Sequence, residues 1–195
     1  MDRIANTITD HLVRKQRIDE RQREIYCYGL KLILADVINF SLIMLLSVLL
    51  GRFWDGVAFL ITLCGVRKYS GGFHAKTFWL CRLSMLITYL CVIGISELLG
   101  RMSGALLVTI VLNVAAIVII PCLAPVKHPN KILTDKQLEE NKLKAAIASE
   151  ILAAVSILFV IVNNPVGITM AMTLCAIVVL MFVGIISMKG GRKNV

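Results

Sequence analysis

Apolar residues run through the 195-residue chain in long blocks rather than in the short alternations of a soluble core. Six blocks stand out, at about 30–50, 53–66, 77–99, 104–125, 145–162 and 165–188. A hydrocarbon layer about 30 Å thick requires roughly 20 helical residues. Blocks one, three, four and six meet that length, and the fifth falls slightly short. The second, about 14 residues from Phe53 to Val66, predicts a tilted, broken or re-entrant element, which is tolerated where protein covers its backbone. The pattern as a whole predicts an all-α polytopic membrane protein with about six transmembrane helices.

Residues 1–29 follow a different rule. Ile4, Ile8, Leu12, Ile18 and Ile25 recur at loosely helical intervals among charged residues. Two placements suit such a helix. It lies in the headgroup layer with Arg14, Lys15, Arg17, Arg21 and Arg23 toward anionic lipid, or it is solvated and partly frayed. This polar start argues against a cleavable signal peptide. The expected organisation is an amphipathic cytoplasmic or interfacial segment 1–29, a six-span domain 30–188 and a basic tail 189–195. Pro121, Pro125 and Pro129 bound the fourth loop, Leu133–Lys144 reads as a short helix leading into the fifth span, and Asn163-Asn164-Pro165 reads as a tight hairpin.

Composition agrees with the membrane class. Hydrophobic residues make up 58% of the chain and charged residues 17%, against about 45–50% and 25% in soluble proteins. The net charge of +9 has a topological explanation and gives no reason to expect a nucleic-acid partner. Of 21 Lys and Arg, all but Arg52 and Arg101 fall in or beside alternate connecting regions. Basic residues accumulate in untranslocated loops, so both termini and loops two and four are expected in the cytoplasm. Trp54 and Trp79 lie near span ends, where interfacial aromatics belong. Cysteines 27, 64, 81, 91, 122 and 175 show no CxxC spacing, which argues against a disulfide framework and against a metal site. No residue pattern calls for a cofactor.

Reactive side chains gather in the basic interruption Arg67–Cys81, which holds Gly71-Gly72, His74 and Cys81. If the third span begins near Lys76 or Thr77, Cys81 falls in its first turn or so. Helix N-termini and nearby cations such as Lys76 and Arg82 stabilise a thiolate. Seven residues along one straight helix would separate the two Cα atoms by about 10.5 Å, so a His74–Cys81 pair requires a loop that folds back. Gly71-Gly72 supplies that freedom. The imidazole would then take the thiol proton and return it to a leaving amine. The plainer alternative is a packed interfacial histidine beside an unrelated buried cysteine.

The pattern Arg67, Gly72, His74 and Cys81, set between the second and third apolar blocks, resembles the signature of the AgrB-type membrane endopeptidases of Gram-positive quorum sensing. The charged amphipathic start, the short second span and the Ala124-Pro125…Lys127…Pro129-Asn130-Lys131 loop are similar too, although this loop is less densely basic than in some members. The resemblance implies a cysteine peptidase with an AgrD-like propeptide as substrate. Cys81 would attack the bond before the acidic C-terminal tail, with His74 as general base. A thiol or hydroxyl of the peptide would resolve the acyl-enzyme into a thiolactone or lactone. Arg67, Lys68, Gly72, Lys76 and Arg82 become candidates for tail or oxyanion contacts, each with a solvated-surface alternative. Asp36 and Glu150 are carboxylates placed to orient His74 or to pair with a neighbouring cation. A competing class is a small peptide or ion transporter using Asp36, Glu97 and Glu150, although the matching interrupted repeats of such proteins are missing from the sequence. Two copies forming a homodimer would shelter the short second span.

Overall fold

The computed structural model describes residues 2–15, 19–71, 78–126 and 134–191. All regular structure among them is helical: α1 Asp2–Arg14, α2 Arg23–Leu49, α3 Phe53–Ser70, α4 Phe78–Gly100, α5 Ala105–Leu123, α6 Asp135–Ile161 and α7 Val166–Gly191, with one 3₁₀ turn at Glu20–Gln22. Five helices, α2 and α4–α7, are long and apolar enough to cross a membrane. The chain divides into a unit spanning residues 1–46 and a second spanning 47–195.

In the first unit, α1 runs antiparallel to the start of α2 through three side-chain rungs. Asp2, Asn6 and Asp10 fall four residues apart and therefore on one helix face. Asp2 Oδ1 lies 2.7 Å from Lys31 Nζ, Asn6 Oδ1 accepts from Cys27 Sγ at 3.2 Å, and Asp10 Oδ1 accepts from Arg23 Nη2 at 2.7 Å. Ala5 and Thr9 are buried, and Thr9 Oγ1 is satisfied by the Ala5 carbonyl at 2.7 Å. Arg14, Lys15 and Arg21 are exposed. Arg23 is engaged by Asp10.

The second unit is built on α7, whose Thr169, Ala171, Thr173, Leu174 and Met181 are fully buried. Helices α3, α4, α5 and α6 all pack against it. The doubtful second block is one uninterrupted 18-residue helix, α3. Gly56, Phe59, Leu63, Val66 and Ser70 repeat at 3-4-3-4 spacing and are all buried, which is the stripe of a helix packed on neighbours. Asp55, Arg67 and Lys68 keep α3 from matching the other five spans in apolar character, and burial against α6 and α7 compensates. The short helix expected at 133–144 and the fifth block form a single 27-residue helix, α6, started by a capping box in which Thr134 Oγ1 accepts from Gln137 N and Gln137 Oε1 accepts from Thr134 N.

Close approaches fix the packing. A Cβ on Gly167 would meet the Ser156 carbonyl at 2.4 Å, and one on Gly56 would meet Ser47 Oγ at 2.0 Å. Several polar side chains inside the bundle pair with one another. Asn113 Nδ2 donates to Ser156 Oγ at 3.0 Å, and Ser156 Oγ donates to the Gly167 carbonyl at 2.7 Å. Ser47 Oγ and Tyr89 Oη lie 2.7 Å apart, with the Tyr89 ring edge-on to Phe59.

Candidate functional site

The end of α3 and the start of α4 frame the region where the sequence concentrates its chemistry. His74, Gly72 and Lys76 lie outside the described residues. Cys81 is the fourth residue of α4 and is partly exposed. First-turn backbone N–H groups have no partner within the helix and favour negative charge.

Two cations on the described side of this region behave differently. The Arg82 guanidinium lies over the Trp79 ring at 5.4 Å, and its Nε is buried without a hydrogen-bond partner among the described residues. Arg82 directly follows Cys81 in α4. Lys68 is exposed, with Nζ over the Tyr69 ring at 5.6 Å. Together with half-buried Arg67 it occupies the last turn of α3, where positive charge offsets the helix dipole.

The α3 terminus is closed by a long-range contact that local patterning could not reveal. Gly71 N donates to the Arg67 carbonyl at 3.1 Å, and Val126 N, just beyond α5, donates to the Ser70 carbonyl at 2.9 Å. Gly71 has φ 71° and ψ −153°, a conformation restricted essentially to glycine.

The carboxylates considered as partners for His74 are both exposed, Asp36 on α2 and Glu150 on α6. Glu97, which the transporter alternative would employ, is engaged at the opposite end of the second unit. It accepts from Arg52 Nη2 and from Arg101 Nη2 at 3.1 Å. Arg52 Nη1 also lies 3.7 Å from Asp55, a buried carboxylate that sequence reading passed over because one Asp in a short apolar block looks like an interfacial residue. Among the described residues no group of three His, Cys, Asp or Glu side chains is arranged to hold a metal.

Residues 4–187 match the sequence profile of the family described as accessory gene regulator B. The chain belongs to the AgrB family. Within it, FsrB of Enterococcus faecalis is 37% identical over 65 residues, a stretch covering 33% of this chain and 27% of that relative. A putative AgrB-like protein 2 of Clostridium perfringens strain 13 is 27% identical over 147 residues, covering 73% of this chain and 69% of the relative. A putative AgrB-like protein of C. perfringens strain SM101 is 26% identical over 147 residues, with the same coverage of both chains. No solved structure matches the chain. The family match and the five apolar helices together make this a multi-pass membrane protein.

Proposed function

We propose that this AgrB-family protein is a membrane cysteine endopeptidase that removes the acidic tail of an AgrD-like propeptide and passes the remaining acyl group to the peptide's own side chain. Family membership supports a role in the agr/fsr quorum-sensing pathway. The observation that carries the chemistry is the partly exposed Cys81 in the first turn of α4, immediately after the segment that contains His74.

In this reading His74 takes the Cys81 thiol proton, and the thiolate attacks the scissile carbonyl. The tetrahedral intermediate collapses to a thioester on Cys81 while the imidazolium returns the proton to the leaving amine. A thiol or hydroxyl within the peptide then gives its proton to the now neutral His74, attacks the thioester and releases Cys81 as the leaving thiolate. The thioester preserves acyl activation, so ring closure needs no nucleotide. Arg82, Arg67, Lys68 and Lys76 receive the acidic tail or the developing oxyanion. The distribution of Lys and Arg supports a cytoplasmic location for this end and for both termini.

Co-expression with a tagged propeptide, read by intact mass, tests the reading. Wild type yields the tail fragment and a thioester adduct at Cys81, whereas Cys81→Ala and His74→Ala do not. Unchanged processing by a stably inserted Cys81→Ala chain would overturn the proposal.

A further inference from the structure

We infer that the hairpin of α1 and α2 seats one acyl chain of a membrane phospholipid in a groove between the two helices, in the leaflet that the N-terminal end of α2 meets. The inference concerns the first unit alone and is independent of the peptidase reading.

The groove has a volume of about 220 Å³ and runs between Thr9 and Leu12 of α1 and Ile25, Tyr26, Gly29 and Ile33 of α2. Its shape follows from the sequence. Ile25, Gly29 and Ile33 are four residues apart and form one row on the α2 surface. The middle member has no side chain, and a Cβ built there meets nothing within 4 Å. The groove is in part the gap that glycine leaves in the row. Its walls offer a polar ligand little to bond. Thr9 Oγ1 already donates to the Ala5 carbonyl at 2.7 Å, and the other lining side chains are hydrocarbon apart from the Tyr26 hydroxyl. So small a volume suits an extended hydrocarbon chain and is too small for a further helix, which is about 10–12 Å across with its side chains.

Depth selects the occupant. The pairs Asp2–Lys31 and Asp10–Arg23, both at 2.7 Å, hold α1 beside residues 23–31 of α2. That stretch is roughly 12 Å long and ends where the first apolar block begins, at about residue 30. A headgroup layer is about 5–7 Å deep, so the hairpin stands in that layer and reaches just beyond it. Because α2 is one uninterrupted helix, its axis measures depth directly. Ile25 lies roughly 7 Å outside the start of the block and Ile33 roughly 5 Å inside it. The inner end of the groove therefore opens into hydrocarbon and is continuous with the membrane-crossing surface of α2. Ile25, Tyr26, Tyr28 and Ile33 are 73%, 48%, 62% and 60% exposed, and exposed tyrosine belongs at this boundary. The outer rim carries exposed Lys15 and Arg21 beside exposed Asp19, Glu20 and Glu24. That mixture selects no headgroup charge, and the apolar walls carry the recognition.

The test reconstitutes the full-length protein in phosphatidylcholine–phosphatidylglycerol nanodiscs doped with a phosphatidylcholine that bears a diazirine on one acyl chain. After irradiation, adducts are mapped by peptide mass spectrometry and normalised to those on the exposed α5 face around Leu107 and Val111. Wild type should carry adducts on Leu12 and on the 25–33 stretch. Gly29→Leu fills the gap in the row and should lower them roughly fourfold for each methylene excluded. Gly94→Leu, at another helix glycine with open space around its Cβ position, should leave them at the wild-type level. Ile25→Gln puts an amide on the groove wall at a residue already facing outward, so it should insert normally and lower the adducts too. Adducts on α5 without adducts in the wild-type groove would overturn the inference. So would groove labelling that neither Gly29→Leu nor Ile25→Gln reduces. A benzophenone side chain at position 25 that captures a second copy of the chain or a co-expressed propeptide, in place of lipid, would overturn it as well.

Discussion

Asp55 Oδ1 accepts a 2.5 Å hydrogen bond from Thr169 Oγ1, joining the first turn of α3 to the first turn of α7 across 114 residues of sequence. The carboxylate is buried, and Arg52 Nη1 lies 3.7 Å away. A charge in that position is tolerated only with partners, because removing one leaves an uncompensated group in a low-dielectric interior. Thr169→Val keeps the shape and deletes the donor, so it isolates the hydrogen bond. It should destabilise the second unit by about 1.5–3 kcal/mol, read as a lowered unfolding midpoint in detergent. Asp55→Ala should cost more, because it also leaves a void and removes a partner of Arg52. Equal midpoints for wild type and Thr169→Val would show that the bond adds nothing.

Gly56→Ala places a methyl where Ser47 Oγ sits, 2.0 Å from the ideal Cβ position, and displaces the Ser47–Tyr89 pair. Overpacking of this kind costs about 1–3 kcal/mol. The exchange Gly56→Ala with Ser47→Gly moves the bulk across the interface and should recover part of the loss. A double variant no more stable than Gly56→Ala alone would mean that α3 is displaced for another reason.

The N-terminal hairpin should loosen in acid. The Lys31 ammonium, which bonds and attracts the Asp2 carboxylate, holds that carboxyl below its usual range. A depressed acid contributes stability above its unfolded value, near pH 4, and loses it as pH falls through the lower folded value. Hydrogen exchange in α1, corrected for its intrinsic pH dependence, should therefore show protection that is constant above about pH 5 and declines below about pH 4. Asp2→Asn should show the weaker protection at neutral pH, with a flatter acid response. A wild-type profile as flat as that of Asp2→Asn would exclude the pair as the cause.

The distribution of Lys and Arg leads to a labelling prediction. Residues 101–104 connect α4 to α5 and are exposed, and they lie beyond the Glu97–Arg101 pair. Ser103→Cys should react with a membrane-impermeant maleimide on intact cells. Labelling only after the cells are opened would reverse the orientation inferred from charge.

Much of this architecture was legible locally. Block length and composition announce membrane helices because the hydrocarbon layer fixes how many apolar residues a span needs. The placement of Cys81 early in a helix followed from where the third apolar block starts. The nature of α3 was not legible: about 14 apolar residues look insufficient by themselves, and the 3-4-3-4 stripe from Gly56 to Ser70 becomes decisive only when a partner surface exists. The partner of Arg23 was not legible either. A solvated arginine and one engaged by Asp10 carry the same local sequence, and the choice depended on α1 lying antiparallel to α2.

The sequence by itself determined the class of molecule and the position of its apolar blocks, and it set the expectations for the side of each loop and for the reactive stretch. Each depends on properties summed over neighbouring residues. Tertiary structure alone decided that α7 is the buried centre, that Asp55 meets Thr169, and that Val126 caps α3 beside Gly71. Helical periodicity specifies which residues share a face. It does not specify which two faces meet, because in lipid that choice is made by close packing and polar pairing between segments far apart in the chain.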